Sequence, residues 1–262
     1  MLFRSANKKV RVFDLSADFR LRDGEAYKTW YGHAHEALGL QARAVYGLTE
    51  HARPEIAKTD LVACPGCYPT AALLPLKPLL ADKLIESGDI IIDSKSGVSG
   101  AGRAEKEASL YSEVTEGMHP YGIASHRHAP EIEQSLTDSA KQAITVTFTP
   151  HLAPMSRGIL VTCYARPVPT SLSTARLLET LRGTYAGEPF VVVTDEPPST
   201  KATLGSNAAH VTARFDERTG TVIALCAIDN LAKGASGGAV QAANVACGLD
   251  ESAGLSAVGM FP

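Results

Sequence analysis

Two rhythms of apolar and polar positions run through the chain. In the first third, Val10-Arg11-Val12-Phe13-Asp14-Leu15-Ser16 alternates in the manner of a strand and ends on polar loop residues. Asp18 to Glu36 is polar and aromatic without period, which predicts a loop. Val45 to Glu50 leads into a predicted helix through Ile56, and Leu61-Val62-Ala63-Cys64 reads as a short buried strand stopped by Pro65-Gly66. From Pro69 through Lys83 the residues Ala71, Leu74, Leu76, Leu79, Leu80 and Leu84 recur at helical spacing. Pro69 suits a first helical turn, whereas Pro75 and Pro78 predict a kink or an early end.

The later rhythm is mostly that of strands. Asp89 to Asp93 is the clearest strand and runs into Ser94 to Arg103, a glycine and serine loop open to close backbone approach. Further strands are predicted over Ala143 to Phe148, Gly158 to Ala165, Phe190 to Thr194, Ala209 to Phe215 and Thr221 to Ile228. Most of them alternate as a half-buried antiparallel sheet requires. Helices are predicted over Glu131 to Lys141, Ser171 to Tyr185 and Ala235 to Ala246. Strands in succession after a strand and helix opening imply a second domain on a mixed or antiparallel sheet, so the fold class is α/β.

Composition narrows the picture. Hydrophobic residues make up 45% of the 262 positions and charged residues 20%, enough apolar content for a sizeable core. A net charge of −3 offers no broad attraction to nucleic acid or to an anionic membrane, and leaves a small-molecule partner as the expectation. No run approaches the roughly 20 apolar residues of a membrane span, and Met1 to Val10 lacks the apolar core of a signal peptide. A cytoplasmic location is expected. Five cysteines form an odd set, three of them in apolar runs, which argues against a disulfide framework.

Among the cysteines, Cys67 stands apart. It sits between a buried strand and a helix start, where unsatisfied N–H groups and the helix dipole favour a thiolate and so a nucleophile. Cys64-Pro65-Gly66-Cys67 can also be written as a C-x-x-C redox pair or half a zinc site. No second ligand pair stands at matching spacing, and Cys64 reads as core. No metal is expected. His126-Arg127-His128-Ala129-Pro130-Glu131 is the candidate proton handler: if extended, it turns both histidines to one side and Arg127 to the other, with Glu131 able to orient a ring. His33 and His35 share the spacing but lie in a polar loop without a nucleophile nearby. Arg103 and Arg157 each offer a guanidinium for a carboxylate or phosphate, with a surface ion pair as the plainer alternative; Arg20 is equally ambiguous.

In this order the segments FDLSADFRL (Phe13 to Leu21), VYGLTE (Val45 to Glu50), PGCYPTAA (Pro65 to Ala72), SGVSGAGR (Ser96 to Arg103), HRHAPEI (His126 to Ile132), FTPHLAPMSRGIL (Phe148 to Leu160), GSN (Gly205 to Asn207) and DNLAKGASGGAVQ (Asp229 to Gln241) resemble N-acetyl-γ-glutamyl-phosphate reductase of arginine biosynthesis. The resemblance implies a Rossmann-type nucleotide-binding domain and an α+β domain for catalysis and subunit contacts. Here that means a partial nucleotide domain over 1–66 and 234–262 and a catalytic and dimerisation domain over 67–233, in a homodimer or homotetramer. It implies further that Cys67 attacks an acyl phosphate, that NADPH reduces the resulting thioester, and that His126 is the acid/base. Arg103, Arg157, His128 and Glu131 then form the substrate-binding set, and Ser96, Gly97, Asn230 and Gly234 the cofactor contacts. The family opens on a glycine-rich dinucleotide fingerprint, and none stands ahead of Val10, so the chain reads as a fragment or as one that borrows this unit. Two other readings remain: an aspartate-semialdehyde dehydrogenase or amino-adipyl relative, which would not carry PGCYPT and HRHxPEI together, and a fold without turnover.

Overall fold

Alternation and helical spacing resolve into two sheets in a computed structural model that describes residues 10–102, 104, 107 and 110–260. The first part of the chain holds β1 (Val12–Asp14), α1 (Gly24–Tyr31), α2 (Leu38–Gln41), β2 (Val45–Tyr46), α3 (Thr49–Ile56) and β3 (Leu61–Ala63). The three strands form a small parallel sheet in the order β1-β3-β2. Next come α4 (Cys67–Ala81), β4 (Ile90–Gly97), α5 (Tyr111–Val114), β5 (His119–Pro120), α6 (Ala129–Ala140), β6 (Val146–Ala153) and β7 (Ile159–Ala165). The chain continues through α7 (Thr174–Thr184), β8 (Val191–Val193), β9 (Ala209–Asp216), β10 (Thr221–Ile228) and α8 (Gly237–Cys247). The seven later strands make a mixed sheet ordered β5-β6-β4-β7-β10-β9-β8, parallel only at β4/β6 and β8/β9.

One face of the large sheet is covered by helices. Ile90, Ile92, Ile159, Val161 and Val211 meet Leu73, Leu76 and Leu79 of α4, Ile132 and Leu136 of α6, and Leu177 and Leu181 of α7 in one buried cluster. Each fully buried aliphatic side chain contributes about 1.5–3 kcal/mol. The opposite face carries Ile91, Asp93, Lys95, Thr149, Thr162 and Tyr164, which are exposed or half-buried, so β4, β6 and β7 alternate as expected. A second cluster joins Ile56, Val62 and Cys64 to Ala239, Ala242 and Ala246, and packs α8 against the small sheet.

Four local departures from the sequence reading have physical causes. The stretch before Glu36 contains α1, capped by the Asp23 carboxylate on the Glu25 N–H and ended by Gly32 in the left-handed region. The predicted loop Ser94 to Arg103 begins as strand, because β4 runs on to Gly97 with Ser94 and Ser96 facing inward. Strand β6 likewise extends beyond Phe148 to Ala153. Helix α4 continues through Pro75 and Pro78. Pro78 cannot donate to the Leu74 carbonyl, and the Tyr185 hydroxyl does so from α7's end at 2.5 Å, with the His51 Nε2–H donating to that hydroxyl at 3.0 Å.

Candidate active site

Cys67 is the first residue of α4, after Gly66 at its N-cap, and the turn that presents it is bracketed by a buried pair from distant sequence. The Arg20 guanidinium donates from Nε to the Cys64 carbonyl at 2.9 Å and from Nη2 to the Leu15 carbonyl at 3.0 Å. Glu131, wholly buried, accepts at Oε1 from the Gly66 N–H and from the Tyr46 hydroxyl, both at 2.7 Å. Its Oε2 lies 3.5 Å from Arg20 Nη1. The pair thus holds the carbonyl before Pro65 and the amide after it, which fixes the path of the chain into Cys67.

The other wall of the turn is steric. A Cβ placed on Gly234 would stand 2.7 Å from the Cys67 Cβ, so only glycine lets the Ala232–Ser236 turn approach so closely. That turn is capped by Asp229, which is fully buried and accepts from the N–H groups of Gly205 (2.7 Å), Leu231 (2.8 Å) and Ala232 (3.0 Å). Lys233 is anchored below it by Glu50 and by Gln241 Oε1 at 2.6 Å.

Cys67 opens onto a cavity of about 570 Å³ whose wall includes Tyr31, Gly100, Tyr121, His126, Arg127 and His128. Instead of the expected extended run, 126–128 form a turn into α6, with His128 in the right-handed helical region. The two imidazoles still meet, centroids 4.8 Å apart. His126 is boxed edge-on by Tyr68, Tyr121 and Phe148 at 5.6, 5.4 and 5.3 Å. Its Nδ1 accepts from the His128 backbone N–H at 3.1 Å, while His128 Nε2 lies 3.4 Å from Arg20 Nη1. The glycine at 66 lets the His128 ring close over the turn, since a Cβ there would stand 2.5 Å from Nε2.

Protonation in this site follows burial more than the helix terminus. Burial pushes the Cys67 thiol up to about 11, against the pull of the Tyr68 backbone N–H and of Arg20. The expectation that the helix start favours a resting thiolate is therefore corrected: one or two N–H groups do not repay the desolvation. Burial brings His126 down to about 4, with Arg127 adding to the effect, and holds His128 well below the ordinary histidine value. Both rings are neutral at pH 7.

The remaining candidates separate by position. Arg103 lies outside the described residues. Arg157 does not line the Cys67 cavity; its Nη2 donates to Asp229 at 3.0 Å, so it serves the turn behind the nucleophile. Glu131 has no exposed surface and its oxygens are engaged, which corrects its expected contact with substrate. Ser96 is buried with its hydroxyl on the Gly97 carbonyl at 2.9 Å. Buried Asn230 accepts from the Gly158 N–H at 2.7 Å and donates to Ser99 Oγ at 3.0 Å. Gly97 packs against the Arg157 amide, with 2.7 Å left for a Cβ. Of those four positions, only Gly234 touches the nucleophile. The sequence reading gave Arg127 no anion-binding role and missed Tyr31, whose ring lies 5.4 Å from that guanidinium at the cavity wall; an aromatic residue in an aperiodic stretch carried no signal for it. Cys64 points away into the α8 packing and both cysteines are free. Among the described residues no three His, Cys, Asp or Glu side chains are grouped to hold a metal, and no helix is long and apolar enough to cross a membrane.

Comparison with known proteins places this arrangement. The family described as semialdehyde dehydrogenase, dimerisation domain, matches residues 67–230. In fold the chain is similar to aspartate semialdehyde dehydrogenase II from Vibrio cholerae in complex with ASA, with a TM-score of 0.62 at 18% identity over 78% of this chain and 68% of that one. The aspartate semialdehyde dehydrogenase of Francisella tularensis gives 0.61 at 14% identity, over 80% and 72%. In sequence it is 53% identical to the N-acetyl-gamma-glutamyl-phosphate reductase of Rhodospirillum rubrum over 97% of this chain and 72% of that protein. For the Moorella thermoacetica reductase the figures are 49%, 99% and 75%, and for a probable chloroplastic reductase of Oryza sativa 48%, 100% and 63%. The chain thus spans from just under two thirds to three quarters of the length of these relatives. With identity near one half along its whole length, PGCYPT and HRHAPEI meeting at one cavity, and a semialdehyde dehydrogenase fold around them, the chain belongs to the N-acetyl-γ-glutamyl-phosphate reductase family.

Proposed function

We propose that this chain carries the chemistry of NADPH-dependent reduction of N-acetyl-γ-glutamyl 5-phosphate to the 5-semialdehyde and phosphate, in arginine biosynthesis. The observation that supports it most is the placement of a lone half-buried cysteine, Cys67, at a helix start on the same cavity as His126. In this reading Cys67 Sγ bonds to the acyl carbon while the carbon–oxygen bond to phosphate breaks, and the thiol proton leaves with the departing phosphate. When bound, the nicotinamide cofactor supplies the hydride that turns the thioester into the aldehyde. His126 donates a hydrogen bond to the acyl oxygen as charge builds there, and the thiolate freed when the carbon–sulfur bond breaks takes its proton from solvent. Arg127, exposed at the cavity wall, is the guanidinium available to the substrate's anionic end.

The domain division at 66/67 and 233/234 belongs to this proposal, as does a homodimer or homotetramer. Of the positions expected at the cofactor, Gly234 is the one that borders the nucleophile and would meet a bound nicotinamide. Ser96 and Asn230 are buried, with side chains bonded within the protein, and Gly97 packs against the Arg157 amide, so their expected contact with the cofactor is not used in this reading.

The test needs no reductant. Incubation with the acyl phosphate followed by acid quench and peptide mass spectrometry should find an acyl adduct on the Cys67 peptide with release of one phosphate per chain. Cys67→Ala should abolish both while the far-ultraviolet circular dichroism stays unchanged. An adduct elsewhere, or undiminished phosphate release in Cys67→Ala, would sink the reading.

A further inference from the structure

Arginine is a hydrogen-bond donor only, so His128 Nε2, 3.4 Å from Arg20 Nη1, must be an acceptor. A neutral His128 therefore carries its proton on Nδ1. That nitrogen is buried and finds no acceptor among the described residues. A backbone amide is likewise a donor only, so His126 Nδ1, which accepts from the His128 N–H at 3.1 Å, has no proton, and a neutral His126 carries it on Nε2. Two residues apart, the rings are forced into opposite states by unlike donors, one a side chain from 108 residues upstream and the other the local main chain.

Arg20 itself has little freedom. Its Nε and Nη2 are fixed on the Cys64 and Leu15 carbonyls, and Glu131 beside Nη1 keeps the guanidinium in place. The same side chain that brackets the Cys67 turn therefore also sets where the proton sits on His128.

We propose that Arg20 and the His128 main-chain amide lock the two histidines in opposite neutral tautomers, His126 protonated on Nε2 and His128 on Nδ1, which makes Arg20 a positioning residue of the site. Its value for catalysis rests on reading the Cys67 cavity as the active site. In the resting protein His126 then offers a hydrogen to an acyl oxygen and has no free lone pair with which to take the Cys67 proton.

Histidine-labelled chain at pH 7, studied by long-range proton–nitrogen correlation spectra, tests this directly, with His126→Gln and His128→Gln used to assign the signals. The expected result is a pyridine-type Nδ1 with a pyrrole-type Nε2 for His126, and the reverse for His128. Identical patterns for the two rings, or an imidazolium at either, would overturn the lock. In Arg20→Met the His128 signals should shift toward a tautomer mixture while those of His126 stay in place. A folded Arg20→Met with His128 unmoved would overturn the role of Arg20, and if that variant fails to fold, the wild-type spectra still decide the tautomers. No substrate enters the measurement, so loss of the acylation reading and loss of the tautomer lock are separate results.

Discussion

The two walls of the Cys67 turn are built by different physics. On one side, charge and directed hydrogen bonds hold it: Arg20 engages the Cys64 carbonyl, and Glu131, itself held by the Tyr46 hydroxyl, engages the Gly66 amide. On the other, contact holds it: Gly234 sits against Cys67 in a turn whose amides are gathered by Asp229. The charged wall also touches a histidine and so influences proton positions, whereas the close-packed wall can influence only where the sulfur lies. Removing either should disturb the nucleophile, but through different observables.

The largest effect is expected at the charged wall. Glu131→Ala removes one partner of a buried pair and leaves the Arg20 cation, the Gly66 N–H and the Tyr46 hydroxyl without their acceptor. Breaking such a pair costs about 3–5 kcal/mol. Urea unfolding followed by circular dichroism should find a loss of that order. Glu131→Gln can still accept from the Gly66 N–H and should lose clearly less. Equal losses in the two variants would mean that side-chain shape, not the acceptor, fixes the turn.

At the steric wall a smaller stability change should accompany a larger change in chemistry. Gly234→Ala puts a methyl 2.7 Å from the Cys67 Cβ and 3.2 Å from Ile228 Cδ1, so the turn or the cysteine must move. Overpacking of this kind costs about 1–3 kcal/mol. A misplacement of a reacting atom by about 1 Å can lower a rate about a hundredfold. Single-turnover acylation of Cys67 should therefore fall further than the unfolding midpoint suggests. Acylation at the wild-type rate in Gly234→Ala would show that the contact does not position the sulfur.

The contrast also explains what could be read in advance. PGCYPT and HRHAPEI are local, and each lies beside the start of a helix, so Cys67 and the His126/His128 pair could be named as candidates from the sequence, and the family resemblance then singled out His126. The bracket could not: Arg20 and Glu131 are 111 residues apart, and neither neighbourhood states that the other exists. Strand β4 was cut short because Ser94 and Ser96 are polar yet face the core, inverting the pattern on which the expectation rests. Helix α1 was missed because only Tyr27 is buried on it, too little for a period. The proline kink in α4 failed for the opposite reason, since a tyrosine from another helix donates to the carbonyl that Pro78 orphans.

The smallest effect is expected three residues before the nucleophile. Cys64 and Cys67 form a C-x-x-C on paper, yet Cys64 packs with Ile56, Val62 and Ala242 while Cys67 faces the cavity. Burial pushes the Cys64 thiol up to about 12, which keeps it protonated and unreactive at neutral pH. Cys64→Val is nearly volume-conserving, so it should cost less than about 1.5 kcal/mol. It should also leave the acylation rate of Cys67 unchanged, because no hydrogen bond of the turn uses the Cys64 side chain and Arg20 holds only its carbonyl. If Cys64→Val instead lost acylation as completely as Cys67→Ala, the two thiols would act as a pair and the division between a packed cysteine and a reactive one would fail.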